Sequence, residues 1–167
     1  MTALVEAPDY THCVAGVRTW RVAPNLAARL GGLLWSSSML DAWPVGQELV
    51  AVCHRGGHVP PDEGCKCGVN AWYGVELGYA DSAGLEDPRH VTGVVSGSGD
   101  IVLFEHGWRA ARGRVEAIFH DPALPQIALP VSKKEIAVAY GAAIIAPRDY
   151  EAFCLEHKLV LIDPTTL

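Results

Sequence analysis

The sequence contains no apolar run long enough to cross a membrane. Its most apolar stretch, residues 136–146, is far shorter than the roughly 20 residues that a membrane-spanning helix requires. The first ten residues lack a basic start followed by a continuous apolar stretch, and they include Glu6 and Asp9, so a secretory signal is not expected. These absences predict a cytoplasmic protein that does not enter a membrane.

Positive charge is also scarce. The chain has 13 Lys and Arg residues against 19 Asp and Glu residues, which gives a formal net charge of −6. This average field would repel a nucleic-acid backbone or an anionic membrane. Nucleic-acid binding is therefore disfavoured, although Arg109, Arg112 and Arg114 would form a local basic patch if the fold brought them together.

Internal repeats and low-complexity segments are missing as well. Half of the 167 residues are hydrophobic and 19% are charged, which is enough apolar material for a core. The length suits one domain better than two, so residues 1–167 are predicted to form a single domain.

Glycine and proline are scattered through the first 130 residues, with short apolar stretches between them, which predicts a succession of short strands. The predicted strands lie at residues 16–22, 29–35, 47–53, 90–95, 100–106 and 112–119. Residues 69–79 fit either a strand or a short helix. The Ser-Gly-Ser-Gly run at 96–99 separates two β-prone stretches and predicts a hairpin turn.

Residues 131–163 have a different pattern. Ser132 and Glu135 match a capping box at the start of a helix, and Gly141 suits its C-terminal cap. The remaining predicted elements are a strand at 142–146, a helix at 147–158 and a strand at 159–162. The predicted fold is therefore α+β. A mainly antiparallel β body over residues 13–120, either a twisted sheet or a small barrel, carries a C-terminal helix–strand–helix element.

Residues 53–68 read C-H-R-G-G-H-V-P-P-D-E-G-C-K-C-G and hold three of the five cysteines and two of the seven histidines. An odd number of cysteines, in a compartment that keeps thiols reduced, argues against a disulfide framework. Zinc takes four thiolate or imidazole donors in a tetrahedron. The segment therefore predicts a zinc site within a β body.

The predicted zinc ligands are Cys53, His58, Cys65 and Cys67. His54 is the alternative to His58, and it is less favoured because it directly follows Cys53. Four protein ligands leave no open position for water, which predicts a structural site rather than a catalytic one. A second interpretation is that Cys65 or Cys67 is a nucleophile activated by a histidine.

Residues 105–110 read E-H-G-W-R-A and predict a binding surface formed by Glu105, His106, Trp108 and Arg109. The acid–histidine pair could also perform acid–base chemistry, which would make the chain a small hydrolase or transferase. A plainer interpretation is a strand end and turn with Trp108 anchored in the core. We favour the plainer one because isolated acid–histidine pairs are common.

Four short motifs occur in a fixed order: residues 16–22, Trp43-Pro-x-Gly46, Cys65-x-Cys67-Gly68 and residues 105–110. Together they resemble a group of uncharacterised proteins of actinobacteria and their phages, in which C-x-C-G follows a cysteine and a histidine and precedes an E-H-x-x-G-x-R-A strand. This chain departs from the group at residues 99–100, where Gly-Asp replaces a tryptophan–glycine pair, and in a shorter histidine-to-glycine spacing. The resemblance implies an actinobacterial or phage origin, supports the cysteine–histidine cluster as a unit, and implies no activity.

The sequence contains no recognisable catalytic triad or phosphate-binding motif, and no catalytic residue is assigned. The glycine-rich run at 96–99 lacks the following helix and the lysine of a phosphate-binding loop. We therefore expect a non-enzymatic binding or regulatory protein with a structural zinc and a protein partner. The sequence does not indicate the oligomeric state.

Overall fold

The computed structural model describes residues 13–23, 33–36, 41–83, 89–122, 129 and 131–166. Within them, seven strands form one sheet: β1 (Val14–Val22), β2 (Leu34–Ser36), β3 (Leu49–Val50), β4 (Val69–Trp72), β5 (His90–Leu103), β6 (Gly107–Phe119) and β7 (Ala143–Ile145). The helices are α1 (Val75–Ala83), α2 (Lys133–Tyr140) and α3 (Tyr150–Glu156), with 3-10 turns at Pro147–Asp149 and Pro164–Thr166. The predicted α+β class, with a largely antiparallel β body and a C-terminal helical element, is confirmed.

The two longest strands, β5 and β6, form the antiparallel centre of the sheet. β1 pairs along β5, and β4 pairs along the first part of β6. A single residue pair, Val17 with Trp72, joins β1 to β4. The pairs β1–β5, β5–β6, β6–β4 and β4–β1 therefore form a closed circuit, as in a small barrel and unlike an open sheet. β2 pairs antiparallel with the last residues of β1, and β7 pairs parallel with the end of β6.

β3 and β4 lie in line along one edge of β6. Ala51, directly after β3, donates its backbone N–H to the Ala111 carbonyl at 2.9 Å. Val69, the first residue of β4, pairs with the neighbouring Ala110. The chain thus leaves the edge of β6 and returns to the adjacent position on it. Residues 52–68, which include the predicted zinc ligands, form a loop between these two edge strands, and this loop is called the excursion below.

The predicted hairpin turn at residues 96–99 is wrong, because β5 runs through them without reversing. Small residues are needed here for packing: a Cβ atom on Gly97 would lie 2.5 Å from the Trp108 ring. The pairing register with β6 shifts within this run, where Gly99 has a φ of +79°, so the run contains a β-bulge. The hairpin turns instead at residues 104–106, between β5 and β6.

Three predicted strands of the β body are confirmed: residues 16–22 lie within β1, residues 90–95 lie within β5, and residues 112–119 lie within β6. Of the predicted strand at 29–35, residues 29–32 lie outside the described residues, and Leu34 begins β2.

The strand predicted at 47–53 is much shorter in the structure, because only Leu49–Val50 forms β3. Cys53 therefore lies in a loop and not at the end of a strand. The ambiguous stretch at 69–79 contains both β4 and the beginning of α1.

The C-terminal region follows the predicted order up to its last element. β7 lies within the strand predicted at 142–146, and the helix predicted at 147–158 becomes a 3-10 turn followed by α3. The strand predicted at 159–162 is wrong, because the structure has only a parallel bridge between Val160 and Val14.

The cap signals of α2 are confirmed. The Glu135 N–H donates to Ser132 Oγ at 3.2 Å, and the Ser132 N–H donates to the Glu135 carboxylate at 2.9 Å. Gly141 ends the helix with a φ of +63°. The Tyr140 hydroxyl on this helix donates to the Trp43 carbonyl at 2.8 Å, which ties the helix to the β body. No helix in the described ranges is both long and apolar enough to cross a membrane.

The core has two parts, as the alternation of side chains along β1 requires. Trp20 and Val22 face one part, whereas Ala15 and Val17 face the other. Trp108 is buried in the first part, and its indole N–H donates to the Ala15 carbonyl at 2.8 Å. This hydrogen bond connects β6 to β1 through the interior of the strand circuit.

We predict that Gly16→Ala lowers the free energy of unfolding by about 1–3 kcal/mol, the usual cost of overpacking a core. The new Cβ would lie 2.6 Å from the Ala71 Cβ and 2.7 Å from the Trp108 indole nitrogen, so Trp108 would have to move. Urea unfolding followed by tryptophan fluorescence measures the change. Gly74→Ala is the matched control, because a Cβ there meets nothing within 4 Å. Equal stabilities of the two variants would contradict the packing of Trp108 described here.

Candidate metal centre and adjoining groove

The excursion between β3 and β4 brings all four predicted zinc ligands together. The sulfur atoms of Cys53, Cys65 and Cys67 and a ring nitrogen of His58 all lie within 4.8 Å of one another. Cys53 Sγ lies 3.8 Å from Cys65 Sγ, and His58 Nε2 lies 3.1 Å from Cys67 Sγ. All three cysteines are free thiols, and Cys67 is buried. The four side chains are close enough to bind one metal ion.

His54, the alternative histidine, takes no part in this cluster. Its Nε2 atom lies 2.9 Å from Asp41 Oδ1, and its side chain is largely exposed. The structure therefore places His58 at the cluster and His54 in a hydrogen bond with Asp41 on the surface.

Local turns return the chain to the cluster. Gly56 and Gly57 have φ values of +72° and +88°, which favour glycine, and the Gly56 N–H donates to the Cys53 carbonyl at 3.1 Å. Further on, Asp62 accepts from the Gly64 N–H through its carboxylate at 2.9 Å and from the Cys65 N–H through its carbonyl at 3.2 Å. Backbone turns on the N-terminal side of Cys65 thus bring the C-x-C pair to the cluster.

Arg109 of β6 binds the C-terminal end of the excursion, at Cys65 and Cys67. Its guanidinium donates to the carbonyl oxygens of Cys65 and Cys67, the latter at 3.3 Å, and lies over the Phe104 ring at 4.3 Å. Gly68 has a φ of +115°, and a Cβ there would lie 3.2 Å from the Cβ of Arg109. The glycine after the second cysteine therefore allows the loop to approach the strand that carries Arg109.

The electrostatics of the cluster differ between its two neighbouring thiols. A hydrogen bond from the Cys67 backbone is the main cause that lowers the pKa of Cys65 to about 7, whereas burial raises the pKa of Cys67. Burial also lowers the pKa of the Arg109 guanidinium, and the nearby cysteines oppose that effect. Of these two thiols, Cys65 therefore supplies a thiolate more readily near neutral pH.

The predicted binding set at residues 105–110 is divided by the structure. Glu105 and His106 lie in the β5–β6 turn with their side chains 87% and 57% exposed, and His106 Nε2 lies 3.6 Å from Glu105 Oε1. Trp108 is buried in the core, as the plainer interpretation predicts. Arg109 is only 9% exposed and contacts the excursion at residues 52–68, named the metal loop below, whereas Arg112 is exposed. Glu105 and His106 are therefore the exposed members of the predicted set, and Trp108 and Arg109 are its buried members.

A groove of about 810 Å³ borders the metal loop and unites parts of both candidate sites. All four residues of the 105–110 binding set line it, and so do Lys66 and Gly68 of the loop. Its walls also include Trp35, Trp43, Trp72 and Arg18. Sequence reasoning missed this groove because its lining comes from separate segments of the chain. The sequence signal that points to it is the presence of five tryptophans in 167 residues, three of which, Trp35, Trp43 and Trp72, form its walls together with Trp108.

Arg18 supports the groove from β1. Its guanidinium donates to Ser36 Oγ at 3.0 Å and to the side-chain and backbone oxygens of Asn70, and it lies 5.4 Å from the centre of the Trp43 ring. A nearly buried arginine thus links β1, β2 and β4 at the point where the circuit of strands is closed by one residue pair.

No family model, curated protein or solved structure matches this chain. Function is therefore inferred from the chemistry and geometry of the residues, and the resemblance to the actinobacterial and phage group stays a prediction.

We predict that, in the metal-free protein, iodoacetamide at pH 7 alkylates Cys65 roughly tenfold or more faster than Cys154. A pKa of about 7 leaves about half of Cys65 as the reactive thiolate. Burial is the main cause that raises the pKa of Cys154 to about 11, so it is almost entirely a thiol. Mass spectrometry of peptides at timed intervals gives both rates. Similar rates for the two cysteines would contradict the hydrogen bonding described for Cys65.

Proposed function

We propose that this chain is a non-enzymatic binding protein in which a zinc ion, held by Cys53, His58, Cys65 and Cys67, fixes a loop beside a ligand groove. The observation that carries this proposal is the convergence of four donor atoms within 4.8 Å. The donors come from both ends of the excursion and from its middle, so one ion would close it.

The donor set favours zinc. Zinc binds thiolate and imidazole ligands well, whereas the hard cations magnesium and calcium take oxygen ligands. In a tetrahedron with zinc–sulfur bonds of about 2.3 Å, neighbouring sulfur atoms are about 3.8 Å apart. The distance of 3.8 Å between Cys53 Sγ and Cys65 Sγ fits that edge.

A structural role follows from the closed set of ligands. Three thiolates and one imidazole complete the tetrahedron and leave no position at which water or substrate could be activated. The excursion has little apolar surface to bury, and its Val59 is 79% exposed. The free energy of metal binding would therefore supply the stability that this loop lacks in hydrophobic contacts.

Arg109 would compensate the charge of the loaded site. Three thiolates and one zinc ion carry a net charge of −1, and the nearly buried guanidinium lies against the carbonyls of two of the cysteines. Because Arg109, Lys66 and Gly68 also line the groove, fixing the loop fixes one wall of the groove. This connection is the reason to propose binding as the function that the metal serves.

We predict about one zinc per chain when the protein is purified without added metal, measured by elemental analysis. Cobalt substitution should give the visible absorption of a tetrahedral thiolate site. His58→Ala and Cys67→Ser should each lose the metal. His54→Ala and Cys154→Ser are the matched controls and should keep it, because both residues lie outside the cluster. Metal-free protein with freely titratable thiols at Cys53 and Cys65 would refute the zinc proposal.

We predict that Arg109→Leu weakens zinc affinity about 10- to 100-fold, the range typical for partners that hydrogen-bond around a metal site. The variant loses the positive charge and the hydrogen bonds to the Cys65 and Cys67 carbonyls. Competition with a coloured chelator measures the affinity. Arg112→Leu, an exposed arginine on the same strand, is the control and should leave affinity unchanged. Equal affinities in the two variants would remove Arg109 from the proposed site.

A further inference from the structure

The four donors of the cluster divide into two close pairs. Cys53 Sγ lies 3.8 Å from Cys65 Sγ, and His58 Nε2 lies 3.1 Å from Cys67 Sγ. All three cysteines are free thiols. The S–S bond of a disulfide is about 2.05 Å long, so the two sulfur atoms of the first pair would have to approach by roughly 2 Å. Rotation of the cysteine side chains can supply a movement of this size, and the pair therefore lies within reach of a disulfide.

Access from solvent separates this pair from the third cysteine of the cluster. Cys53 and Cys65 are half-buried, whereas Cys67 is only 2% exposed. The residues on either side of Cys53 and Cys65 are all exposed, namely Val52, His54, Gly64 and Lys66. Oxidation of thiols follows their exposure, so an oxidant in solution meets this pair more readily than Cys67.

The backbone has room to adjust on the Cys53 side of the pair and is anchored on the Cys65 side. A Cβ atom on Gly56 or Gly57 would meet nothing within 4 Å, so the turn that follows Cys53 faces open space. The Cys65 carbonyl, in contrast, accepts from the Arg109 guanidinium. Closure of the pair would therefore move the Cys53 side and leave the C-x-C side in place on β6.

Oxidation of this pair would remove two of the four proposed zinc ligands. Zinc takes deprotonated thiolates as ligands, and a disulfide has none. The two donors that remain, His58 and Cys67, do not complete a tetrahedron, so the affinity for zinc would be lost. The disulfide would itself join residue 53 to residue 65, so the metal loop would stay closed after the ion had left.

We propose that Cys53 and Cys65 are a reversible oxidation site, at which a peroxide forms a disulfide and releases the zinc ion. The inference rests on the proposed zinc site and adds the regulation of that site. Disulfides that form in a reducing compartment are usually transient and serve catalysis or redox sensing. Two accessible thiols that hold a metal ion when they are reduced match the sensing role.

The oxidation proceeds in two balanced steps. One thiolate attacks an oxygen of hydrogen peroxide, the O–O bond breaks, and the sulfur becomes a sulfenic acid, while the hydroxide that leaves takes a proton and becomes water. The other thiolate attacks that sulfur, the S–S bond forms, the S–O bond breaks, and the second hydroxide also leaves as water. The two sulfur atoms together lose two electrons, which the peroxide gains. A dithiol reductant reverses the change and restores both thiolates.

The test treats the full-length protein with hydrogen peroxide in two forms, one loaded with zinc and one stripped of metal by a chelator. Trypsin cleavage after Arg55 and Lys66 places the three cysteines of the cluster in three separate peptides. Mass spectrometry without reduction should find Cys53 linked to Cys65 in both forms. A chromogenic chelator should record about one zinc released per disulfide. A dithiol with added zinc should restore the thiols and the metal.

Variants separate the pair from the other cysteines. Cys67→Ser keeps the pair and loses the metal, so its disulfide should form as fast as in the metal-free wild type. In metal-free Cys53→Ser, any link between Cys65 and Cys67 should form at least roughly tenfold more slowly, because a disulfide between such close residues is strained. Cys13→Ser and Cys154→Ser lie outside the cluster and are the matched controls. Both should show wild-type linkage and zinc release.

Three results would overturn the inference. The first is a dominant link between Cys65 and Cys67 or between two chains. The second is oxidation of Cys53 or Cys65 to sulfinic acid before a disulfide forms. The third is zinc that stays bound after the pair is linked. All three are measured on the wild-type protein, so they do not depend on the folding of a variant.

Failure of the zinc site and failure of the oxidation site give different results. A protein that contains no zinc but forms the disulfide between Cys53 and Cys65 would remove the zinc assignment and keep the oxidation site. Stoichiometric zinc in a protein whose cysteines peroxide does not link would keep the zinc site and remove the oxidation site.

Discussion

The edge of β6 is the constraint on which the metal loop and the groove both depend. This strand is paired along one side by β5, and its other side is completed in turn by β4, β3 and β7. Between β3 and β4 the chain departs and must return to the adjacent residue of β6, although many residues intervene. Bringing the ends of such a loop together costs conformational entropy that the loop must recover through its own contacts. The cysteine–histidine cluster lies where those contacts are needed.

The proposed zinc ion and Arg109 would both fix the loop at residues 52–68, the ion through its side chains and Arg109 through its backbone. The ion would hold the side chains of the excursion to one another, and Arg109 holds its backbone to the strand from which it departs. The guanidinium also faces the groove, so the metal loop and the groove share one positive charge. A rigid wall of this kind reduces the ordering cost that binding would otherwise impose. On the proposed function, the stabilisation of the loop and the recognition of a ligand would therefore be connected through the Arg109 side chain.

What the sequence predicts well is local chemistry. The four residues of the cluster, Cys53, His58, Cys65 and Cys67, could be predicted to meet because donor type and spacing restrict which residues can share a metal. The caps of α2 could be predicted from Ser132 and Glu135 in a similar way. His54 could be set aside because it is adjacent to Cys53, and its contact with Asp41 agrees with that choice.

The failures have a common physical cause, which is packing between distant segments. The small residues at 96–99 have the composition of a turn, but Gly97 among them makes room for Trp108, which lies on another strand. The strand expected at 47–53 is cut short because the chain turns out into the metal loop directly after Ala51. The groove draws on β1, β2, β3, β4 and β6 at once. No local pattern encodes such an arrangement.

The pairing of β1 has a consequence for how the protein folds. The last three residues of this strand pair with the nearby β2, but most of its length finds its partners far along the chain. These partners are residues 90–97 of β5 and Val160, whose carbonyl accepts from the Ala15 N–H at 2.8 Å. Contacts between residues so distant in sequence form slowly, because a long loop must close before any of them contributes. During synthesis, β1 would emerge from the ribosome long before either partner exists. Its apolar side chains would depend on chaperones or on transient non-native contacts until β5 is complete.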